Sequence, residues 1–363
     1  MLSLCVSIPA LACAILPAYA AHADGAARVL VPATDARIHF SDGLPPLRNE
    51  ADGSVHFDRV LDTPGRGFRW DSPGTRMRWR TDSARVAARL RYTARHTGSS
   101  RNSTGAFRID GDAKPGWTFT RPEGADSTLA VTLPAPDDGA MHNYEVILPY
   151  GDSVDLLGVE VGADAAWETP TARPGTRYVA FGDSVTHGFT ASVVTRTYAF
   201  LVAEKNNWEL LNLGIGGRGA QAADGDVLAS IDAGVISVLI GVNDWQGGAE
   251  PETFRDHYRA LLDGILAGHP DTPVFLITPL WVPPRWRPEA VRYPLENYRR
   301  VIRKLAAERA TPRLRVIEGP SLIDHRDDCF DPVAVHPNDA GFAQMAERLA
   351  QAMRRNSRKE RRP

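Results

Sequence analysis

Four short stretches carry residues that together can do acyl chemistry: "FGDSVTHG" with Ser184, "NLGIGGRG" with Gly217, "GVND" with Asn243 and "HPNDAGF" with His336. A serine hydroxyl is a weak nucleophile at neutral pH and needs a base beside it, and histidine is the side chain best suited to that task. Attack on an ester carbonyl builds negative charge on its oxygen. Backbone N–H groups at a tight turn and a side-chain amide can hold that charge, each donor being worth about 3 kcal/mol. Ser184 N–H, Gly217 N–H and the Asn243 amide are donors of this kind, and glycine at 217 lets the backbone come close because no Cβ intervenes. Taken singly, each stretch is also ordinary turn composition. The chemistry requires all four to meet in one place.

The surrounding pattern supplies a way for them to meet. From Arg177 onward, short apolar runs ("YVAF", "ELLNLG", "VISVLIG", "PVFLITPL" and "LRVIEG") alternate with amphipathic helical stretches. In the last of these, after Asn338 as a candidate cap, Phe342, Met345, Ala346, Leu349 and Met353 share one face. Five strands alternating with helices predict right-handed crossovers and a parallel sheet covered on both faces. Sites in such sheets form beyond the carboxyl ends of the strands, where three of the four stretches begin directly. His336 follows the fifth run after a long polar loop.

The first half has a different period. From Arg28 to Val161 apolar residues alternate, as in "RVAARLRY", where Val86, Ala88, Leu90 and Tyr92 face one way, and in "YEVILPY". Turn-rich segments such as "DGDAKPG" separate the runs. Period two with frequent turns predicts an antiparallel β-sandwich over residues 24–164. "AAWETPTARPGTR" then reads as a linker at 165–176, followed by the α/β domain at 177–353 and a basic tail at 354–363.

The chain has 363 residues, enough for two such domains, with 43% hydrophobic and 24% charged residues. Its net charge of -2 suggests no nucleic-acid partner. Residues 1–23 read as a signal peptide cut after Ala23: the apolar run is too short to span a bilayer, and small-x-small sites follow it. The expectation is a secreted or periplasmic protein with no membrane span. Cys5 and Cys13 leave with that segment, and Cys329 alone cannot build a disulfide framework. No metal or cofactor is expected: the histidines are scattered, and although "GIGGRG" follows a strand, its place in the order of the four stretches accounts for it better than a phosphate loop does.

The four stretches, in this order, resemble the sequence blocks of the SGNH (GDSL) hydrolase superfamily. That resemblance implies a flavodoxin-like three-layer α/β/α domain with a parallel sheet, preceded here by an antiparallel β-sandwich similar to the jelly-roll of two-domain members. It implies Ser184 as nucleophile and first oxyanion donor, Gly217 and Asn243 as the other donors, and His336 as general base. The family usually places an aspartate three residues before the histidine, and this chain has Val333 there. Asp331 is the nearest acid that can take its place. A Ser–His dyad oriented by a backbone carbonyl, or another acid such as Asp328 or Asp327, is the alternative.

Trp245, Trp281 and Arg218 are candidate substrate contacts, as is Trp286, because each lies in or beside a loop that follows a strand. His187 has helical spacing from Ser184 that points it away from the hydroxyl. The leading expectation is a secreted serine esterase removing short acyl groups, acetyl first, from a polysaccharide or a related glycoside. An acyltransferase using the same acyl-enzyme is the alternative, and a carbohydrate-binding protein without turnover is the third reading.

Overall fold

A computed structural model of the chain describes residues 27–41, 47–48, 51–56, 73–95, 104–121, 128–171, 175–287, 289, 292–309, 311–332 and 335–359. The expected signal peptide, Val333 and the last four residues lie outside this set.

The first half forms two antiparallel sheets, as the alternation predicts. One contains Arg28–Pro32, Val55–His56, Val86–Arg95, Thr128–Leu133 and Asp152–Gly162, with Leu47–Arg48 at its edge. The other contains His39–Phe40, Arg76–Thr81, Thr104–Ile109, Thr118–Thr120, His142–Ile147 and Trp167–Glu168. Val86, Ala88, Leu90 and Tyr92 meet Met77, Trp79, Tyr144 and Val146 between the sheets. Strand His142–Ile147 is buried on both faces, because Ile147 points outward into a second core shared with Tyr150 and the α/β domain. The segment expected as a linker is partly sheet: Trp167 and Glu168 pair with Thr81 and Arg80, a run too short to show a period.

The second half contains five parallel strands: β1 (Thr176–Gly182), β2 (Trp208–Gly214), β3 (Val235–Leu239), β4 (Val274–Ile277) and β5 (Leu314–Ile317). Their order across the sheet is β2-β1-β3-β4-β5, which is the flavodoxin-like order. In β1, Tyr178 and Ala180 face one layer of helices while Val179 and Phe181 face the other. The first layer contains α1 (Ser184–His187), α2 (Tyr198–Asn206) and the final helix, α7 (Asp339–Lys359). Across the sheet lie α3 (Ala223–Ser230), α4 (Val242–Gln246), α5 (Pro251–Gly268) and α6 (Leu295–Arg309).

Helix α7 (Asp339–Lys359) begins where Asn338 Oδ1 accepts from Gly341 N–H at 3.0 Å, and it buries Phe342, Met345, Ala346, Leu349 and Met353. It also runs through residues 354–359, so most of the expected basic tail continues the helix.

The two domains share buried charge. Arg76, 1% exposed, reaches Glu204 of α2 at 2.5 Å and lies 4.6 Å over the Phe200 ring. Arg108 reaches the same glutamate at 2.6 Å, and Arg78 meets Glu209 at 2.9 Å. Closer to the catalytic face, the Tyr150 carbonyl accepts from His187 Nε2 at 2.7 Å, and the Tyr150 hydroxyl donates to Ala191 O at 3.0 Å. The sandwich therefore braces α1 and the loop after it.

Candidate active site

Strand β1 ends at Gly182, and Asp183 caps α1 with its carboxylate accepting from Val185 N–H at 2.9 Å. Ser184 is thus the first helical residue, where its own N–H has no carbonyl to bond within the helix. The small helix fits because β2 ends in a residue with no side chain: a Cβ on Gly214 would collide with the His187 backbone nitrogen. His187 is fully buried and is held by the Tyr150 carbonyl, away from the hydroxyl, as its spacing predicts.

His336 reaches the same point from the opposite end of the domain. Its Nε2 lies 2.7 Å from Ser184 Oγ, in line for the hydroxyl to donate to a neutral imidazole. The histidine segment is a closed loop: Phe330 bridges Pro337, Asp331 N–H donates to the His336 carbonyl at 2.9 Å, and Asn338 Nδ2 donates to Asp328 O at 2.8 Å. The loop after α1 clamps it from the nucleophile's side. Phe189 presents its ring edge-on to the imidazole at 5.5 Å, the Thr190 hydroxyl donates to Pro337 O at 2.8 Å, and Ser192 and Arg196 hold Asp339. Thr190 takes φ 74° to do this, a conformation unfavourable for a β-branched residue. Nothing in the sequence marks that contribution.

Gly217 takes φ 74°, which glycine adopts freely. Asn243 on α4 donates from Nδ2 to Arg218 O at 3.0 Å, leaving its second amide hydrogen for the cavity it lines. Asp244 accepts from Ala220 N–H at 3.1 Å, so the two neighbouring side chains hold the glycine turn on both sides.

Two sequence-based assignments need correction. Arg218 is fully buried and grips Asp224 through Nε at 2.8 Å and through a second guanidinium nitrogen, so its charge anchors the turn and faces no substrate. Trp245 is 4% exposed, with its indole N–H on Tyr293 O at 3.0 Å, and it borders a neighbouring cavity away from the nucleophile. Trp281 lines both cavities and is stacked 5.1 Å from His325. Trp286 packs partly buried against the helical core.

Ser184, Gly217, Asn243 and His336 line one cavity of about 270 Å3. Asp183 also borders it. Burial pushes its carboxyl up to about 7, against the Val185 N–H bond and with help from the charge of Asp244. Burial likewise raises Asp244. Among the described residues, no three His, Cys, Asp or Glu side chains group to hold a metal ion, and no helix is long and apolar enough to cross a membrane.

Residues 180–344 match the model of the GDSL-like lipase/acylhydrolase family. No curated protein sequence matches the chain. Among solved structures, it is similar to a salicylyl acyltransferase from a tetracycline biosynthetic pathway, with 21% identity, a TM-score of 0.75 and coverage of 92% of this chain and 98% of that one. A family two carbohydrate esterase from Cellvibrio japonicus gives 17% identity, TM-score 0.68 and coverage of 91% and 98%. An acetyl xylan esterase from the rumen bacterium Butyrivibrio proteoclasticus gives 10%, 0.60, 88% and 98%.

Proposed function

We propose, on the match of residues 180–344 to the GDSL-like lipase/acylhydrolase family, that this chain is an exported serine esterase that cleaves short acyl esters of a carbohydrate or glycoside alcohol. The observation that carries this reading is the 2.7 Å contact between Ser184 Oγ and His336 Nε2 inside a cavity also lined by Gly217 and Asn243.

Ser184 Oγ attacks the ester carbonyl carbon and passes its proton to His336 Nε2. The oxyanion is held by the N–H groups of Ser184 and Gly217 and by the Asn243 amide. Collapse of this intermediate breaks the bond to the alcohol oxygen, which takes the proton from His336 and leaves. Water then attacks the acyl-Ser184 carbonyl and gives a proton to His336. Release of the free acid returns that proton to Ser184. Asp331 serves by fixing the histidine segment, and its N–H bond to the His336 carbonyl supports that role. Export rests on the apolar segment at residues 1–23, and the carbohydrate on the likeness in fold to carbohydrate esterases.

The test is release of acid from p-nitrophenyl acetate and from acetylated xylan. The parent chain should turn over both the activated and the carbohydrate ester, and Ser184→Ala should lose at least about 10^3-fold in kcat. Equal activity of parent and variant contradicts the reading.

Transfer of the acyl group to an alcohol or sugar is the second reading. It is favoured by the similarity in fold to an acyltransferase across 92% of the chain and by the mostly apolar lining of the cavity. Formation of free acid alone at every acceptor concentration counts against it. A purely binding role has the short Ser184–His336 contact against it.

A further inference from the structure

The cavity at Ser184 is large and apolar for an acetyl group. We infer that its preferred acyl group is a medium-length apolar chain of about six to eight carbons, an inference that rests on the serine-esterase reading above and replaces the short acyl group given there. Three observations support it.

The first is volume. At about 30 Å3 for each water-sized group, a cavity of about 270 Å3 accepts roughly nine such groups. An acetyl group fills only a small part of that space.

The second is the division of polarity. Ser184, Gly217, Asn243 and His336 supply the reacting groups, whereas much of the remaining wall is built from Leu239, Ile240, Leu280, Trp281, Val282 and Phe330. Of the other polar residues at the cavity, Asp183 gives its carboxylate to Val185 N–H, and Gln246 is exposed. Sugar hydroxyls find few partners on that wall, whereas methylenes are well matched to it. Each methylene moved from water into such contact is worth about fourfold in binding.

The third is that the wall is held in place. Leu239 ends β3 and Ile240 follows it, both buried. After β4, the Leu280 carbonyl accepts from Arg299 at 2.6 Å and the Val282 carbonyl accepts from Arg287 at 3.2 Å. Trp281 lies between His325, 5.1 Å away, and Phe330, 5.5 Å away. A wall fixed in this way does not close around a small acyl group, so a small group leaves apolar surface uncovered.

The experiment is kcat/KM for p-nitrophenyl acetate, butanoate, hexanoate, octanoate and dodecanoate with the full chain. The expected result is a rise of at least about tenfold from acetate to hexanoate or octanoate, and a fall at dodecanoate as the chain outgrows the cavity. Leu280→Trp should lower the hexanoate-to-acetate ratio about tenfold. A separate readout, independent of how that variant folds, is quenching of parent tryptophan fluorescence by octanoate and by acetate, with octanoate binding at least tenfold tighter.

If acetate is turned over as well as or better than hexanoate, or octanoate binds no better than acetate, the chain-length inference is overturned while the serine-esterase reading stands. If no ester of any length is hydrolysed and a phosphonate leaves Ser184 unlabelled, both fall.

Discussion

Ser184 and His336 are 152 positions apart in sequence and 2.7 Å apart in space, and neither has a use in acyl transfer without the other. Three of the four contributing stretches were legible because each is a local signal: a small or polar residue placed where a buried strand stops. His336 was marked by its position just before a helix whose cap and apolar face are both readable. Partnerships between side chains were less legible. Arg218 shows its charge in the sequence, but its burial on Asp224 depends on how the turn folds back onto α3. The link between Asp331 and His336 is a backbone bond, which every non-proline residue can make and no side-chain motif reveals. That bond survives a change of side chain. Asp331→Asn should therefore keep kcat within about tenfold of the parent, whereas an acid that orients the imidazole through its carboxylate is worth up to about 10^4. Steady-state kinetics on a single ester distinguishes the two outcomes.

At the scale of elements, the site exists because β1, β2 and β3 stop at one rim, and α1 and α4 start there with Ser184 and Asn243 in their first turns. Alternation and helical periodicity made those elements readable. The two-residue strand at Trp167 escaped because it is too short to show a period. Burying the cap of α1 has a consequence for stability. In the unfolded chain Asp183 ionises near 3.8, and in the folded chain near 7. Between those values the folded state retains a proton that the unfolded state has released, so stability falls as pH rises from about 4 to about 7. Asp183→Asn keeps an oxygen acceptor for Val185 N–H and removes the buried charge. Its melting temperature should exceed the parent's by a few degrees at pH 8, with the gap closing toward pH 5. Thermal melts across that range check the sign, and a gap that ignores pH contradicts this assignment of the charge.

For the whole molecule, the sandwich is part of the framework behind the catalytic face. Tyr150 supports α1 through His187, while Arg76, Arg78 and Arg108 reach across to Glu204 and Glu209. The surface that buries these arginines belongs to the other domain, so the alternation within their own strands carries no sign of it. Removing Arg76 leaves the partly exposed Glu204 with Arg108 as its remaining cation, so the cost stays below the about 3–5 kcal/mol of breaking an isolated buried pair. Arg76→Met should accordingly lower the melting temperature measurably, and an unchanged melt means that the two halves do not depend on this contact. The central claim, that the fold brings one hydroxyl and one imidazole together as nucleophile and base, has a direct test. The parent chain, Ser184→Ala and His336→Ala are treated with a fluorophosphonate ester and digested, and the adduct is located by mass spectrometry. The account predicts a single adduct on Ser184 in the parent, none in Ser184→Ala, and labelling slowed at least a hundredfold in His336→Ala. An adduct on another residue, or labelling of Ser184 at the parent's rate without His336, contradicts it.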